Sequence, residues 1–510
     1  MEGSTATAQQ QTAPATEPSS HWRAWVTIGG VTLGLFMGAL ENTVAGTAMP
    51  TIVASLGGIE HYSWVFAAYM LAATVMIPLW GKMADLLGRR PALFGGLGFF
   101  MLGSALCGAA HSMPQLIAFR VVQGLGAGAL FPVGMTIAAD LFTLQQRTKV
   151  IAMFSVMWGV ASLVGPLAGG YLTEQISWRW VFYINLPFGL ISALLVGLTY
   201  RERYQRRGTI TLDYGGMMTL SLGVTLLLLV VQRAAAAEVL TTVAGGAAAV
   251  GLLAAFIVFE KRSTEPLIPL VLFTQRLVTV ATLQGLLTGM AVFGALSFTP
   301  LFAQSVMGAS PTQGGVVLTP FILAWVVTGP VGGRLLLRKG YRWVTAVGMV
   351  PLITGATLLT QVSAYTTRAQ LIAAVILIGV GGGLTAPVQT IAVQHAVPGP
   401  LTGVATSVIV FARTIGGALG TSIMGALMSW RLRGLLSSFP GRQNGDSYRS
   451  TDIAQLLHPS NVPLPPQVAA HLHQAMAGSL RLAFSFLLVA AVVAAVLTFF
   501  APHGKVTAHQ

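Results

Sequence analysis

Three ionisable side chains stand where an apolar chain cannot hold them without a partner or a task. Glu41 falls inside the run WVTIGGVTLGLFMGALENTVAGTAMP (25–50), which is apolar apart from Glu41, Asn42 and a few threonines. A charged carboxylate at the centre of a bilayer costs about 2.5–3.5 kcal/mol even on a lenient scale. The cheapest way to hold it is protonated, and an acid that gains and loses its proton inside a membrane carries protons. The structural alternative is that Glu41 caps or hydrogen-bonds a neighbouring helix. Arg120 is a permanent cation in a second apolar run and must find a carboxylate, a carbonyl or water. If it approaches Glu41 in one conformation and withdraws in another, it favours and then releases the ionised acid. Bonding to carbonyls alone is the structural version. Arg413, in FARTIGGALG, leaves three roles open: partner to Glu41, attractor of an anionic group, or brace on a glycine-rich helix.

Those residues need helices that cross a membrane. Only 8% of the 510 residues are charged, against roughly a quarter in soluble domains. Mean hydropathy is +0.74. Fourteen apolar runs of spanning length recur, at 24–47, 62–81, 91–110, 114–138, 149–172, 179–200, 213–233, 239–260, 277–303, 313–335, 343–362, 369–393, 402–430 and 479–500. The chain therefore reads as an all-α integral membrane protein. Its first twenty residues are polar, of low complexity, and lack a basic region before an apolar core. They read as a disordered tail, not a signal peptide.

The net charge of +14 suggests topology and not a nucleic-acid footprint. Lys82, Arg89, Arg90, Arg147, Lys149, Arg201, Arg203, Arg206, Arg207, Arg338, Lys339 and Arg342 all fall on one side of the spans, which puts both termini in the cytoplasm. Cys107 is the only cysteine, so an internal disulfide is impossible. No metal cluster, phosphate loop or nucleophile–base pair stands out, and no enzyme is expected.

The chain repeats itself. Gly124, Gly126, Gly128, Pro132 and Val133 recur 255 residues later as Gly379, Gly381, Gly383, Pro387 and Val388. The loop GKMADLLGRR (81–90) recurs 252 residues later as GRLLLRKGYR (333–342). Two anchors at nearly one offset imply parallel repeats of six helices about an axis along the membrane normal. The resulting division is a cytoplasmic tail (1–23), an N-terminal bundle (24–200), an inserted helix pair (213–260), a C-terminal bundle (277–500) and a second tail (501–510). Within the C-terminal bundle, 431–478 is a proline-rich extracytoplasmic loop with a short amphipathic helix at 467–477.

Three patterns carry a family resemblance. Gly81-x-x-x-Asp85-x-x-Gly88-Arg89-Arg90 resembles the loop signature of the major facilitator superfamily. Arg120-x-x-Gln123-Gly124-x-Gly126 resembles the fourth-helix signature of its proton-coupled members, and Gly159 with Gly165-Pro166-x-x-Gly169-Gly170 the fifth-helix signature of its antiporters. Leu40-Glu41-x-Thr43-Val44 with Pro50, Trp178-Arg179-Trp180 through Asn185-x-Pro187, Ser310-Pro311 and the inserted pair resemble the fourteen-helix drug/proton antiporter branch. That branch usually has aspartate where this chain has Glu41; one more methylene loosens the geometry and leaves the charge unchanged.

The resemblance implies a role for each motif. Asp85 latches the two halves on the cytoplasmic side, near Gly403 at the start of the thirteenth span. Arg89 and Arg90 pair with Asp140 or simply anchor the loop by their charge. Leu337 stands where the second half would need a second latch. Gly159, Gly165, Pro166, Gly169 and Gly170 form the hinge that favours export and seals against proton leak, although helix packing alone accounts for the same residues.

A drug cavity would draw on Glu41, Asn42, Gln123, Trp158, Phe298, Trp325 and Arg413, with Trp64, Tyr69, Phe302 and Met290 as further greasy or polarizable wall. The expectation is a monomeric exporter in a bacterial cytoplasmic membrane. It exchanges protons for lipophilic, monovalent cationic compounds by alternating access, with no cofactor besides the coupling proton. Its partners are the small-molecule substrate, protons and membrane lipids. The runner-up is an exporter or flippase of amphipathic lipids or anionic metabolites, anchored by Arg120 and Arg413. A membrane scaffold or receptor without turnover is the reading from another class.

Overall fold

The computed structural model describes residues 21–56, 62–202, 213–233, 239–263, 266–309, 314, 316–437 and 466–502. Every regular element among them is helical. The N-terminal half comprises α1 (His21–Leu56), α2 (Tyr62–Leu86), α3 (Arg89–Gly108), α4 (Met113–Leu141), α5 (Leu144–Gln175), the single turn α6 (Trp180–Tyr183) and α7 (Asn185–Thr199). An inserted pair follows, α8 (Tyr214–Arg233) and α9 (Val239–Arg262). The second half comprises α10 (Arg276–Ser305), α11 (Thr319–Lys339), α12 (Tyr341–Thr360), α13 (Arg368–Ala396), α14 (Thr402–Ser437) and α15 (Pro466–Thr498).

Helix ends follow local chemistry. Thr143 with Gln146 and Thr367 with Gln370 form reciprocal capping boxes that start α5 and α13. Gly88 (φ 106°) and Gly340 (φ 83°) end α2 and α11 in the left-handed region, which only glycine enters freely. These two glycines are repeat equivalents, so both halves make the same reversal with the same residue.

Among the described residues twelve helices are long and apolar enough to cross a membrane, and the chain is a multi-pass membrane protein. The other two expected spans are helical as well, but they are not among the twelve. Several side chains of α5 lie outside the described residues, and the apolar stretch of α8, Gly215–Val231, is short. Leu190, Leu194 and Leu198 of α7 are exposed along one face, as a lipid-facing stripe requires.

The repeat is realised contact by contact. A Cβ at Gly124 or Gly128 would run into the α2 backbone at Tyr69 and Ala73, and one at Gly126 into α3 at Gly96 and Phe100. In the second half, Gly379 and Gly383 meet α11 at Phe321 and Trp325, and Gly381 meets α12 at Gly348 and Leu352. Each glycine ladder thus lets one central helix press against two neighbours at backbone distance.

The halves join along two seams, α2 against α14 and α5 against α11. α8 lies on α2 and α14 together, so the inserted pair docks over the first seam. The root of the pair is fastened by Glu260, whose carboxylate accepts from the N–H groups of Leu267 (3.1 Å) and Ile268 (3.3 Å) on the way to α10.

Several boundaries differ from the sequence expectation. α1 begins at His21, inside the expected tail, and runs past Pro50 to Leu56. The expected helix at 467–477 is not separate: it is the first third of α15, which continues unbroken to Thr498. Gly478 is the one weak helix former at the join, and its cost of about 1 kcal/mol is too small to break a helix. The remainder of that loop, 438–465, and the tails 1–20 and 503–510 lie outside the described residues.

Candidate functional site

Glu41 and Arg120 meet inside the N-terminal half. Both are about 1% exposed, and Arg120 Nη1 donates to Glu41 Oε1 in a buried ion pair. Arg120 is held further by Nη1 to Gln123 Oε1 (2.7 Å) and Nε to the Val65 carbonyl (3.1 Å). Its guanidinium lies 4.3 Å from the Tyr69 ring centre and 5.9 Å from that of Phe182. The second oxygen of Glu41 accepts from Asn185 Nδ2 at 2.5 Å. Ser104 closes the group, accepting from Gln123 Nε2 (2.8 Å) and Asn185 Nδ2 (3.3 Å). Six elements, α1, α2, α3, α4, α6 and α7, contribute to this cluster.

The arrangement answers the desolvation problem. A buried ion pair survives only when further hydrogen bonds satisfy the remaining donors and acceptors, and here both carboxylate oxygens and two guanidinium nitrogens are engaged. Protonating Glu41 would remove half of the pair and leave Arg120 on Gln123, a carbonyl and two rings.

A second charged assembly sits where α2 ends. Asp85 accepts from the first-turn N–H groups of α14, Gly403 (3.2 Å) and Val404 (2.8 Å), the position where helix ends offer free donors. Arg89 pairs with Asp85 (3.3 Å) and Asp140 (2.9 Å), and its own N–H donates to Glu202. Arg90 does not reach Asp140; it donates to the Gly197 carbonyl at 2.8 Å. Gly81 brings α2 so close to α14 that any side chain would strike Ser407. The first seam is shut at this end.

Arg413 does not pair with Glu41. It lines a narrow cleft of the C-terminal half with Thr288, Gly289, Phe293, Trp325, Thr385 and Ala386 among others, about 10 Å³ in volume.

The remaining expected site residues scatter. Trp325 lines that cleft. Phe298 is buried in the apolar core of the C-terminal half with Phe302, and Trp158 is exposed. Gln123 belongs to the ion-pair cluster. A Cβ at Gly159 would lie 3.2 Å from Val326 and 3.5 Å from Ile322, placing it on the α5–α11 seam. Gly165 and Gly169 are buried and Gly170 faces open space, while the side chains of Asn42 and Pro166 lie outside the described residues.

Ser104 and the contact of Asn185 with Glu41 were not foreseen. Asn185 had one available signal, as an amide alone in the apolar run that makes α7. Among the described residues there is no group of His, Cys, Asp and Glu able to hold a metal ion.

Two helical halves related by a repeat, joined along two seams and holding an ion pair inside one of them, define a transporter-type membrane protein. The model of the Major Facilitator Superfamily matches residues 31–421, and the chain belongs to that family. It is 37% identical over 413 residues to the multidrug transporter protein MdtP of Bacillus subtilis, covering 80% of this chain and 76% of that protein. It is 32% identical over 486 residues to multidrug resistance protein 3 of the same organism, covering 94% and 95%. The crystal structure of the human organic anion transporter MFSD10 shares the fold at a TM-score of 0.63 and 15% identity, over 95% of this chain and all of that one.

Proposed function

We propose that the chain is a drug exporter of the fourteen-helix type, with α5 and α8 as further crossings. It exchanges protons for lipophilic, monovalent cationic compounds by alternating access in a bacterial cytoplasmic membrane. The observation that carries this reading is the buried Glu41–Arg120 pair, an acid and a cation held together inside an apolar bundle. The relatives named as multidrug transporters support the export of drugs. Deprotonated Glu41 attracts the cation, and a proton arriving from the opposite side displaces it, so each ligand biases the equilibrium between two states. With the Arg-rich loops in the cytoplasm, the latched α2–α14 seam closes the cytoplasmic side, and Asp85 is the catch that opens when the halves rock. The chain acts as a monomer, without a cofactor.

Inverted membrane vesicles loaded with an ethidium-type dye and given an imposed pH gradient test this reading. Dye should accumulate against its own gradient and run back when the pH difference is collapsed. Accumulation indifferent to that collapse would exclude proton coupling.

A further inference from the structure

We infer that Arg413 and the cleft around it form a subsite for an acidic group, a carboxylate, sulfonate or phosphate, carried on an aromatic or otherwise apolar body. The inference rests on the export reading for its role in transport, but not for the binding itself. A guanidinium carries five N–H donors in a planar fork and keeps its charge in any protein site. Arg413 makes a single hydrogen bond, from Nη1 to the Ala386 carbonyl, and at 3.5 Å it is at the limit of the interaction. Its one ring contact is Phe131 of α4, 5.9 Å away in the opposite half. No carboxylate pairs with it among the described residues, and Glu41 is committed to Arg120 and Asn185.

The surroundings were built to seat this side chain. Gly289 of α10 meets the Arg413 backbone so closely that a Cβ there would strike its carbonyl, and Gly416 and Gly420 continue the same close approach toward Leu286 and Met290. Gly382 leaves the space taken by the Trp325 ring. Glycine thus brings the backbones together and leaves the guanidinium as the projecting group.

The cleft's other polar groups do not compensate it. Thr288 and Thr385 donate back to their own helices, at Gln284 (2.8 Å) and Gly381 (2.9 Å), and neither carries charge. A fork of free donors on a cleft that Phe293 and Trp325 also line matches an acidic group bound bidentately, with an aromatic body reaching the rings as the halves part. The same cation repels a simple monovalent cation, so the subsite widens the substrate class to zwitterions and organic anions.

The purified full chain in detergent tests this with a rhodamine free acid and its methyl ester, which differ in the carboxylate alone. Anisotropy titration should show the acid binding about tenfold more tightly than the ester, as expected for a charge-assisted bond. Arg413→Gln should level the two, and Arg413→Lys, a point charge without the fork, should keep part of the preference. Equal binding of acid and ester to the unaltered protein overturns the inference, as does an acid preference that survives in Arg413→Gln. Should Arg413→Gln fail to fold, the unaltered protein and Arg413→Lys still decide it: an undiminished preference in the lysine variant counts against the fork. The same dyes in inverted vesicles separate the two readings. Acid preference without export of either dye removes the export reading and leaves the subsite; export of both dyes with no acid preference removes the subsite alone.

Discussion

The two halves share a scaffold and differ in how they treat an arginine, buried in one half and half-buried in the other. In the N-terminal half Arg120 is closed in by Glu41, Gln123, the Val65 carbonyl and two rings, with Asn185 and Ser104 finishing the network. In the C-terminal half Arg413 has one long bond and a narrow cleft. The loop motifs diverge in the same sense: Asp85 fastens α2 to α14, whereas its repeat equivalent is Leu337, which carries no charge. Duplication supplied the helices and the glycine ladders. The charged groups break that likeness: in one half the arginine is enclosed by partners, in the other it lines a cleft.

The hardest blow to that comparison would fall on Glu41. Glu41→Gln fits the site but cannot ionise, so proton-driven accumulation of a cationic dye should drop to background in inverted vesicles. Thermal unfolding should show a loss of up to about 3–5 kcal/mol, the range for breaking a buried pair. Uphill pumping by this variant would show that the N-terminal cluster is structural.

Asp85→Asn should come next. It loses two charge-assisted bonds to α14 and the pair with Arg89, at about 1.5–3 kcal/mol for each charged bond. The balance should shift roughly tenfold or more toward opening of the latched seam, read as faster labelling of single cysteines placed along α2 and α14 at that end. Labelling identical to the parent would reduce Asp85 to a loop anchor.

Asn185→Ala keeps the ion pair and removes the bond to the second Glu41 oxygen together with the longer one to Ser104 (3.3 Å). About a tenfold fall in proton-driven export is expected, from roughly 1.5 kcal/mol for a bond to a charged group. The pH profile of export should move with it, because an amide donor bonds the ionised carboxylate more strongly than the neutral acid. A fall in export with an unmoved profile would assign Asn185 to packing.

The smallest effect separates the two loop glycines. Gly340→Ala carries the strain of a side chain at positive φ with extended ψ, about 1–3 kcal/mol. Gly88→Ala adds a collision with the Glu202 carboxylate and should unfold at a lower temperature than its equivalent. Equal shifts would mean that the N-terminal loop is no more tightly built than the C-terminal one.

Much of this was legible in the sequence for a physical reason: ionisable groups in apolar runs are expensive and therefore conspicuous. Glu41, Arg120 and Arg413 were visible that way, and the pairing of Asp85 with the start of α14 followed the loop motif. Neutral partners carry no such signal, so Ser104 and the bond from Asn185 to Glu41 emerged only when α3 and α7 were placed beside α1. Aromatic residues were the least legible. Phe298, Trp158 and Trp325 stand in equally apolar helices, and burial, exposure and a cleft wall are decided by rotation about the helix axis. The extent of α15 was missed because its polar first third and apolar remainder read as two segments, while the backbone met nothing between them able to stop it.

The docking of α8 has a kinematic consequence. This helix rests on α2 and α14, one from each half, directly over the latched seam. Any rotation of one half against the other must appear there as sliding, with α8 keeping its seat on one neighbour and losing it on the other. The inserted pair thus sits where any relative movement of the halves would be felt, because the contacts of α8 are shared between them.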